Sequence, residues 1–232
     1  MRAPLWWCCL CLLGCESTGE VIVKQRPAVE RQFAAVRSLG PRVKAVQPQA
    51  SPQSSTAPVV LERSGTAESN AAFVYAQDLD RPGEAAPVRL RTLDSVPLLR
   101  CGSLLAKGRL VDDPDRQPSP SLTASTLAAC ARLRYALVIR EQEFTPPRLV
   151  LETRHFVPGV YRADVLAFEL ATGTLVGAYP VSVRSEGSVD LANEDDERGH
   201  LRRLISHLES DVYEALRDGA RATFPGSLGP RH

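Results

Sequence analysis

Cysteine and histidine carry the nucleophilic and ligating side chains of this chain, and each is scarce enough to test position by position. The six cysteines are Cys8, Cys9, Cys11, Cys15, Cys101 and Cys130. Four of them fall in the opening MRAPLWWCCLCLLGCES, a density that raises the question of a metal or disulfide cluster. The other two stand alone in the body of the chain. In an oxidising compartment such an even pair reads as a disulfide, and closing a loop of this length stabilises by roughly 3 to 4 kcal/mol. The competing reading is two separately buried thiols, because sequence gives no distance between them. Cys101 as a nucleophile would need a nearby histidine or helix start to lower its pKa.

Among the histidines, His200 and His207 are seven residues apart. Two helical turns leave them on roughly one face, yet that spacing misses the i, i+4 clamp of a zinc helix. Beside Arg202 and Arg203 they read as exposed helix residues, and His155 stands apart from both. The serine-containing stretches SEGSV and FPGSLG lie in loops and precede no helix, unlike a hydrolase elbow. LAKGRL lacks the glycine spacing and the Ser or Thr of a phosphate loop. The acidic DDPDRQPSPS lacks alternating ligands and the glycine of a calcium loop. The expectation is therefore no catalytic set, no metal and no cofactor.

The setting of the first four cysteines decides their reading. Leu5 to Leu13 is an uncharged run of nine residues behind Arg2, about half of what a bilayer-spanning helix requires. A basic start, a short apolar core and a small residue before a cut describe an export signal. Here Leu12, Leu13, Gly14 and Cys15 resemble the lipobox of bacterial lipoproteins. Cys8, Cys9 and Cys11 follow Trp7, Cys8 and Leu10, none of them small, so Cys15 alone fits. The resemblance implies cleavage between Gly14 and Cys15, a diacylglyceryl group on the Cys15 thiol and an acylated new amino terminus. Two or more chains anchor stably where one is marginal. Glu16, standing where an aspartate would retain the protein at the inner membrane, implies by the same resemblance an outer-membrane location facing the periplasm.

Composition narrows the partners. The chain carries 28 basic and 27 acidic residues, so nothing favours a nucleic-acid partner. Arginine outnumbers lysine by 25 to 3, which is read as genome composition rather than a binding requirement.

The elements that would position these residues fall into four stretches. Residues 1–14 are the signal. Residues 15–61 are expected as a flexible stalk, with a short helix opened by Pro27 and showing Val29, Phe33 and Val36 on one narrow face, then the uncharged linker QPQASPQSSTAPVVL. Residues 62–222 are expected as a single globular domain, and 223–232 as a disordered tail. Within the domain, AFVYA, VRLRTL and VPLLRC read as short strands, Ser121 as the N-cap of a helix to about residue 134, and YALVIRE as a strand buried on both faces. LVLETRHFV is a further strand candidate. VYRADVLAFEL and TLVGAYPVSVRS flank Ala171, Thr172 and Gly173 as a hairpin over 160–185, with one packed face that places Leu175 beside Tyr179, Val181 and Val183. Leu201, Leu204, Ile205, Leu208, Val212 and Leu216 form one helical stripe across the sheet, closed by Gly219. The fold class is α+β or α/β: a small mixed or antiparallel sheet covered by helices near 121–134 and 197–218.

The order in LTASTLAACARLRYALVIR, VLAFELATGTLVGAYPVSV and the helix from His200 resembles the small α/β domains of periplasmic assembly lipoproteins, such as the curli-secretion-channel and penicillin-binding-protein-activator families. The resemblance is one of order, covers under half the chain and transfers no functional residue. It implies a lipid-anchored envelope protein with a non-enzymatic role in binding or assembling an envelope protein or polymer. The alternatives are a periplasmic hydrolase with a dispersed site and a lipid-binding lipoprotein, which would require an apolar cavity.

Overall fold

A computed structural model describes residues 16–48, 52–53, 61, 70–84, 97–150, 155–185 and 197–225. The chain is α+β. Its helices and strands run α1 (Thr18–Arg37), α2 (Gly40–Ala45), β1 (Ala71–Tyr75), α3 (Pro97–Lys107), α4 (Pro120–Ala131), β2 (Tyr135–Thr145), β3 (Arg148–Val150), β4 (His155–Val157), β5 (Val160–Glu169), β6 (Thr174–Arg184) and α5 (Glu197–Thr223). The main sheet is mixed and ordered β1-β2-β5-β6, with β3 and β4 forming a separate pair. β1 runs parallel to β2, and the other neighbours are antiparallel.

Three layers result, because both faces of the sheet are apolar. In β2, Tyr135 to Ile139 are all buried, as their unbroken apolar run requires. Ala136 and Val138 join Leu166 and Phe168 of β5 under α1, α3 and α4. Leu137 and Ile139 join Tyr161, Val165 and Tyr179 under Leu208, Val212 and Leu216 of α5.

The hairpin turns at Gly173, whose φ of 65° is the left-handed conformation that glycine adopts without strain. Both of its faces are packed, not one. Ala167 pairs with Gly177 but Phe168 pairs with Leu175, leaving Val176 as an extra residue in β6. That bulge inverts the alternation, so Leu175 packs against the α1 side while Tyr179 and Val181 face α5.

The N-terminal stalk is overturned. Ser17 caps α1: Glu20 N–H donates to Ser17 Oγ at 3.3 Å, and Ser17 N–H donates to Glu20 Oε2 at 2.7 Å. The helix runs through Pro27 instead of beginning there. Pro27 cannot donate to the Val23 carbonyl, but Val23 is exposed, so water can serve that oxygen. Val29 and Val36 are fully buried, and Ile22 and Phe33 pack in the same cluster as Leu127 and Leu166. The stripe that is too narrow to fold alone is wide enough to close a core already lined by α3, α4 and the sheet.

The uncharged linker is also held where it is described. Gln53 N–H donates to Ala178 O at 2.7 Å and Gln53 O accepts from Ala178 N–H at 3.0 Å, so the segment bridges the edge of β6. Pro180, next along that edge, has no N–H to offer, which further blunts it. Leu61 is buried on the α5 side.

Other expectations change locally. VPLLRC is not a strand: Pro97–Lys107 is helical, and Leu98, Cys101 and Leu104 form its buried stripe. The N-cap of α4 is Ser119, two residues before Ser121, with Pro120 in the first turn. Gly219 does not end α5. It lies inside the helix, where the lack of a side chain lets the Tyr179 ring pack against the backbone: a Cβ there would sit 2.3 Å from the ring. Thr223 and Phe224, expected in a disordered tail, are buried, and Phe224 covers Gly177; residues 226–232 lie outside the described residues. The strand expected at Val88 to Leu93 and the signal at 1–14 lie outside the described residues.

Candidate functional site

Cys101 and Cys130 are joined in a disulfide that ties α3 to α4, and both are completely buried. Cys15 lies outside the described residues. His200 and His207 fall on α5, and His155 lies in β4 with its side chain outside the description. Among the described residues no group of three or more His, Cys, Asp or Glu side chains is arranged to hold a metal, and no helix is long and apolar enough to cross a membrane.

The end of the body nearest Cys15 is built by α1, α4 and the segment between α3 and α4. α1 and α4 run parallel, joined by a ladder of side-chain contacts. Thr18 Oγ1 donates to Pro118 O at 3.1 Å, Gln25 Nε2 to Ala124 O at 3.3 Å and Gln32 Nε2 to Ala131 O at 3.1 Å. The steps of seven along α1 keep all three donors on one face. Arg26 Nη2 reaches Leu105 O at 2.9 Å, drawing the C-terminal part of α3 to the same half of α1. The ends of α1 and α4 are thereby fixed side by side. Of the large apolar residues exposed among those described, Val23 at 72% and Leu122 at 46% belong to the first two turns of these helices.

The capping box at this end has an electrostatic signature. The Glu20 carboxylate is held below the usual glutamate pKa, first by the Ser17 backbone N–H and then by the Ser17 hydroxyl. The signal for this cap was present in the sequence as Ser17-Thr18-Gly19-Glu20, the S-x-x-E pattern. Pro27, a residue favoured at the first helical position, offers a competing start ten residues on, but lies inside α1.

A groove of about 410 Å³ lies between α1, the turn at 80–84 and α3. Its shape depends on glycine. A Cβ on Gly102 would stand 1.9 Å from the Gly83 carbonyl oxygen, so the turn rests directly on the helix backbone. Phe33 forms part of the lining, together with Arg26, Glu30, Arg37 and Arg81. Charges pair along the wall, Arg26 with Glu30 at 3.4 Å and Arg81 with Glu84 at 3.6 Å. Guanidinium donors and carboxylate acceptors suit contact with a polar chain. A second groove of about 460 Å³ is lined by Lys107, Arg109, Leu110 and Asp115 beyond the end of α3.

Beneath α2 lies an ion pair between a buried carboxylate and a partly buried guanidinium. Arg140 Nη2 donates to Asp164 Oδ2 at 2.7 Å, and Asp164 is 1% exposed. The same guanidinium reaches the carbonyls of Val43, Val46 and Gln47 at 3.2, 2.6 and 3.1 Å. These are the acceptors left over at the end of α2, so one side chain closes a helix and fastens it to the sheet. Arg42 grips the hairpin turn similarly, donating to the carbonyls of Thr172 and Gly173.

On the opposite face the phenols are deeply placed. Burial raises the pKa of Tyr75 and Tyr161, Tyr75 being raised further by the charge of Tyr161 and Tyr161 by that of Glu141. The two hydroxyls face each other, and their contact raises Tyr75 further while partly lowering Tyr161. Tyr179, also raised by burial, donates its hydroxyl to Leu216 O at 2.8 Å.

The chain matches no protein-family model, no curated protein and no solved structure.

Proposed function

We propose that this is a lipid-anchored cell-envelope protein whose α+β body binds a protein or polymer of the envelope without catalysing a reaction. The observation that carries the reading is the sequence Leu12-Leu13-Gly14-Cys15 at the end of a short apolar run, two residues before the capped start of α1 at Ser17. Cleavage before Cys15 would leave the lipid-bearing residue against a folded body. The disulfide between Cys101 and Cys130 supports the reading, since such bonds persist in oxidising compartments such as the periplasm. A binding role is favoured over a reactive one by the groove beside α1, whose arginines and carboxylates pair with one another along its wall. Glu16 argues for the outer membrane on the sorting rule already given.

The test is metabolic labelling with a radioactive fatty acid, followed by membrane fractionation of the wild type and the Cys15→Ser variant. The expected outcome is label and membrane association in the wild type and neither in the variant. Membrane association that survives Cys15→Ser would remove the anchor from the proposal.

A further inference from the structure

We infer that the lipid anchor stands the body end-on against the bilayer, with the starts of α1 and α4 in contact with the headgroup layer. The inference rests on the proposed lipidation of Cys15 and concerns the geometry that follows from it. The occupant of this end is a phospholipid surface.

Chain length argues first. Only Glu16 and Ser17 separate Cys15 from Thr18, and over those three steps an extended chain advances at most about 3.6 Å per residue. The attachment point is therefore within about 11 Å of the first residue of α1, whereas the headgroup region is roughly 5 to 8 Å deep on each side of the hydrocarbon. No spacer is left for the body to stand away, because Ser17 already caps the helix and Thr18 is already buried and bonded to Pro118.

Surface chemistry argues second. Leu122 lies in the first turn of α4, and Val23 lies about 8 Å along α1 at 1.5 Å per residue. Both present apolar side chains to the outside at the anchored end. The parallel ladder from Thr18 to Gln32 holds α4 level with α1, so Leu122 cannot swing away without breaking it. The hairpin turn marks the other end: Arg42, just past α1, binds the carbonyls of Thr172 and Gly173. The length of α1, about 30 Å, separates the two ends.

The experiment uses tryptophan, since the chain has two, Trp6 and Trp7, and both leave with the signal. Full-length precursors carrying Leu122→Trp, Val23→Trp or Ala171→Trp are expressed, purified as mature lipoproteins and reconstituted into phosphatidylcholine vesicles with or without brominated chains. Mass spectrometry of the amino-terminal peptide reports lipidation separately. The expected result is a blue-shifted emission quenched by bromolipid for Leu122→Trp and Val23→Trp, with Ala171→Trp unshifted and unquenched. In a lipidated chain, quenching at all three positions means the body lies flat, and quenching at none means it stands off the bilayer. Either outcome overturns the end-on arrangement and leaves the anchor intact. A mature peptide without acyl mass overturns the anchor and this inference together.

Discussion

At the scale of single residues, the structure assigns work to side chains that composition leaves anonymous. Arg140 is one arginine among 25, yet it joins the buried Asp164 to three carbonyls at the end of α2. Arg140→Met should destabilise the protein by about 3 kcal/mol, because it removes the main counter-charge of a buried carboxylate along with a helix cap. Urea unfolding would measure the loss, and hydrogen exchange should show the amides at the end of α2 released first. Gly219 gives a sign test. In an ordinary helix Gly→Ala stabilises by about 1 kcal/mol, but here the new methyl meets the Tyr179 ring, so Gly219→Ala should destabilise by about 1 to 3 kcal/mol. Combining it with Tyr179→Val should recover part of that loss in a double-mutant cycle. Glu20 supplies a pH dependence. Its folded pKa is depressed, so the capping box contributes fully above the ordinary glutamate pKa and is lost as pH falls through the lower folded value. An NMR titration should place the Glu20 midpoint below that of a peptide glutamate, with fraying of the first turn of α1 over the same acidic range. A midpoint at the peptide value would remove the cap from the account.

At the scale of elements, α1 divides a stalk from a domain. Each fully buried Val or Phe contributes roughly 1.5 to 3 kcal/mol, while whole domains are stable by only about 5 to 15 kcal/mol. Val21, Ile22, Val29, Phe33 and Val36 are all buried by this one helix. Deleting residues 16–48 should therefore abolish cooperative unfolding and expose a dye-binding apolar face, whereas a detachable stalk would leave the melting temperature unchanged. The sequence showed three of these residues at the correct spacing. What it did not show was the partner surface, because Leu127 and Leu166 come from elements far along the chain. The disulfide acts at the same scale. Cys101→Ala with Cys130→Ala should lower stability by roughly 3 to 4 kcal/mol, with α3 loosened from α4.

At the scale of the whole molecule, the three layers enclose titratable groups whose ionisation is coupled to folding. Tyr75, Tyr161 and Tyr179 have folded pKa values raised above the ordinary phenol value by burial. The stability linked to them is complete below about pH 10, where unfolded phenols begin to ionise, and is lost as pH rises further. An alkaline titration followed at once by phenolate absorbance and circular dichroism should show these three ionising only as the fold collapses. Ionisation with the fold intact would mean that the α5 side opens to solvent. On the same scale, a body that begins at Ser17 places its α1 end beside the proposed anchor, and the opposite end faces away. The proposed envelope partner would then be sought on surfaces remote from Thr18, such as the hairpin turn near Arg42.

By itself the sequence determined what depends on neighbours along the chain. Alternation marked the hairpin, and Leu204, Leu208, Val212 and Leu216 marked the buried face of α5, because those patterns are local consequences of strand and helix geometry, although Leu201, expected on the same stripe, is exposed. The uninterrupted YALVI run showed a strand covered on both sides, since no polar position is left to face water. Tertiary structure decided what depends on contact between distant segments. It made α1 part of the core, brought Cys101 to Cys130, packed both faces of the hairpin and turned Gly219 from a helix terminator into a seat for Tyr179. In each of these cases the energy comes from a surface supplied elsewhere in the chain, and the spacing of residues within one segment carries no record of it.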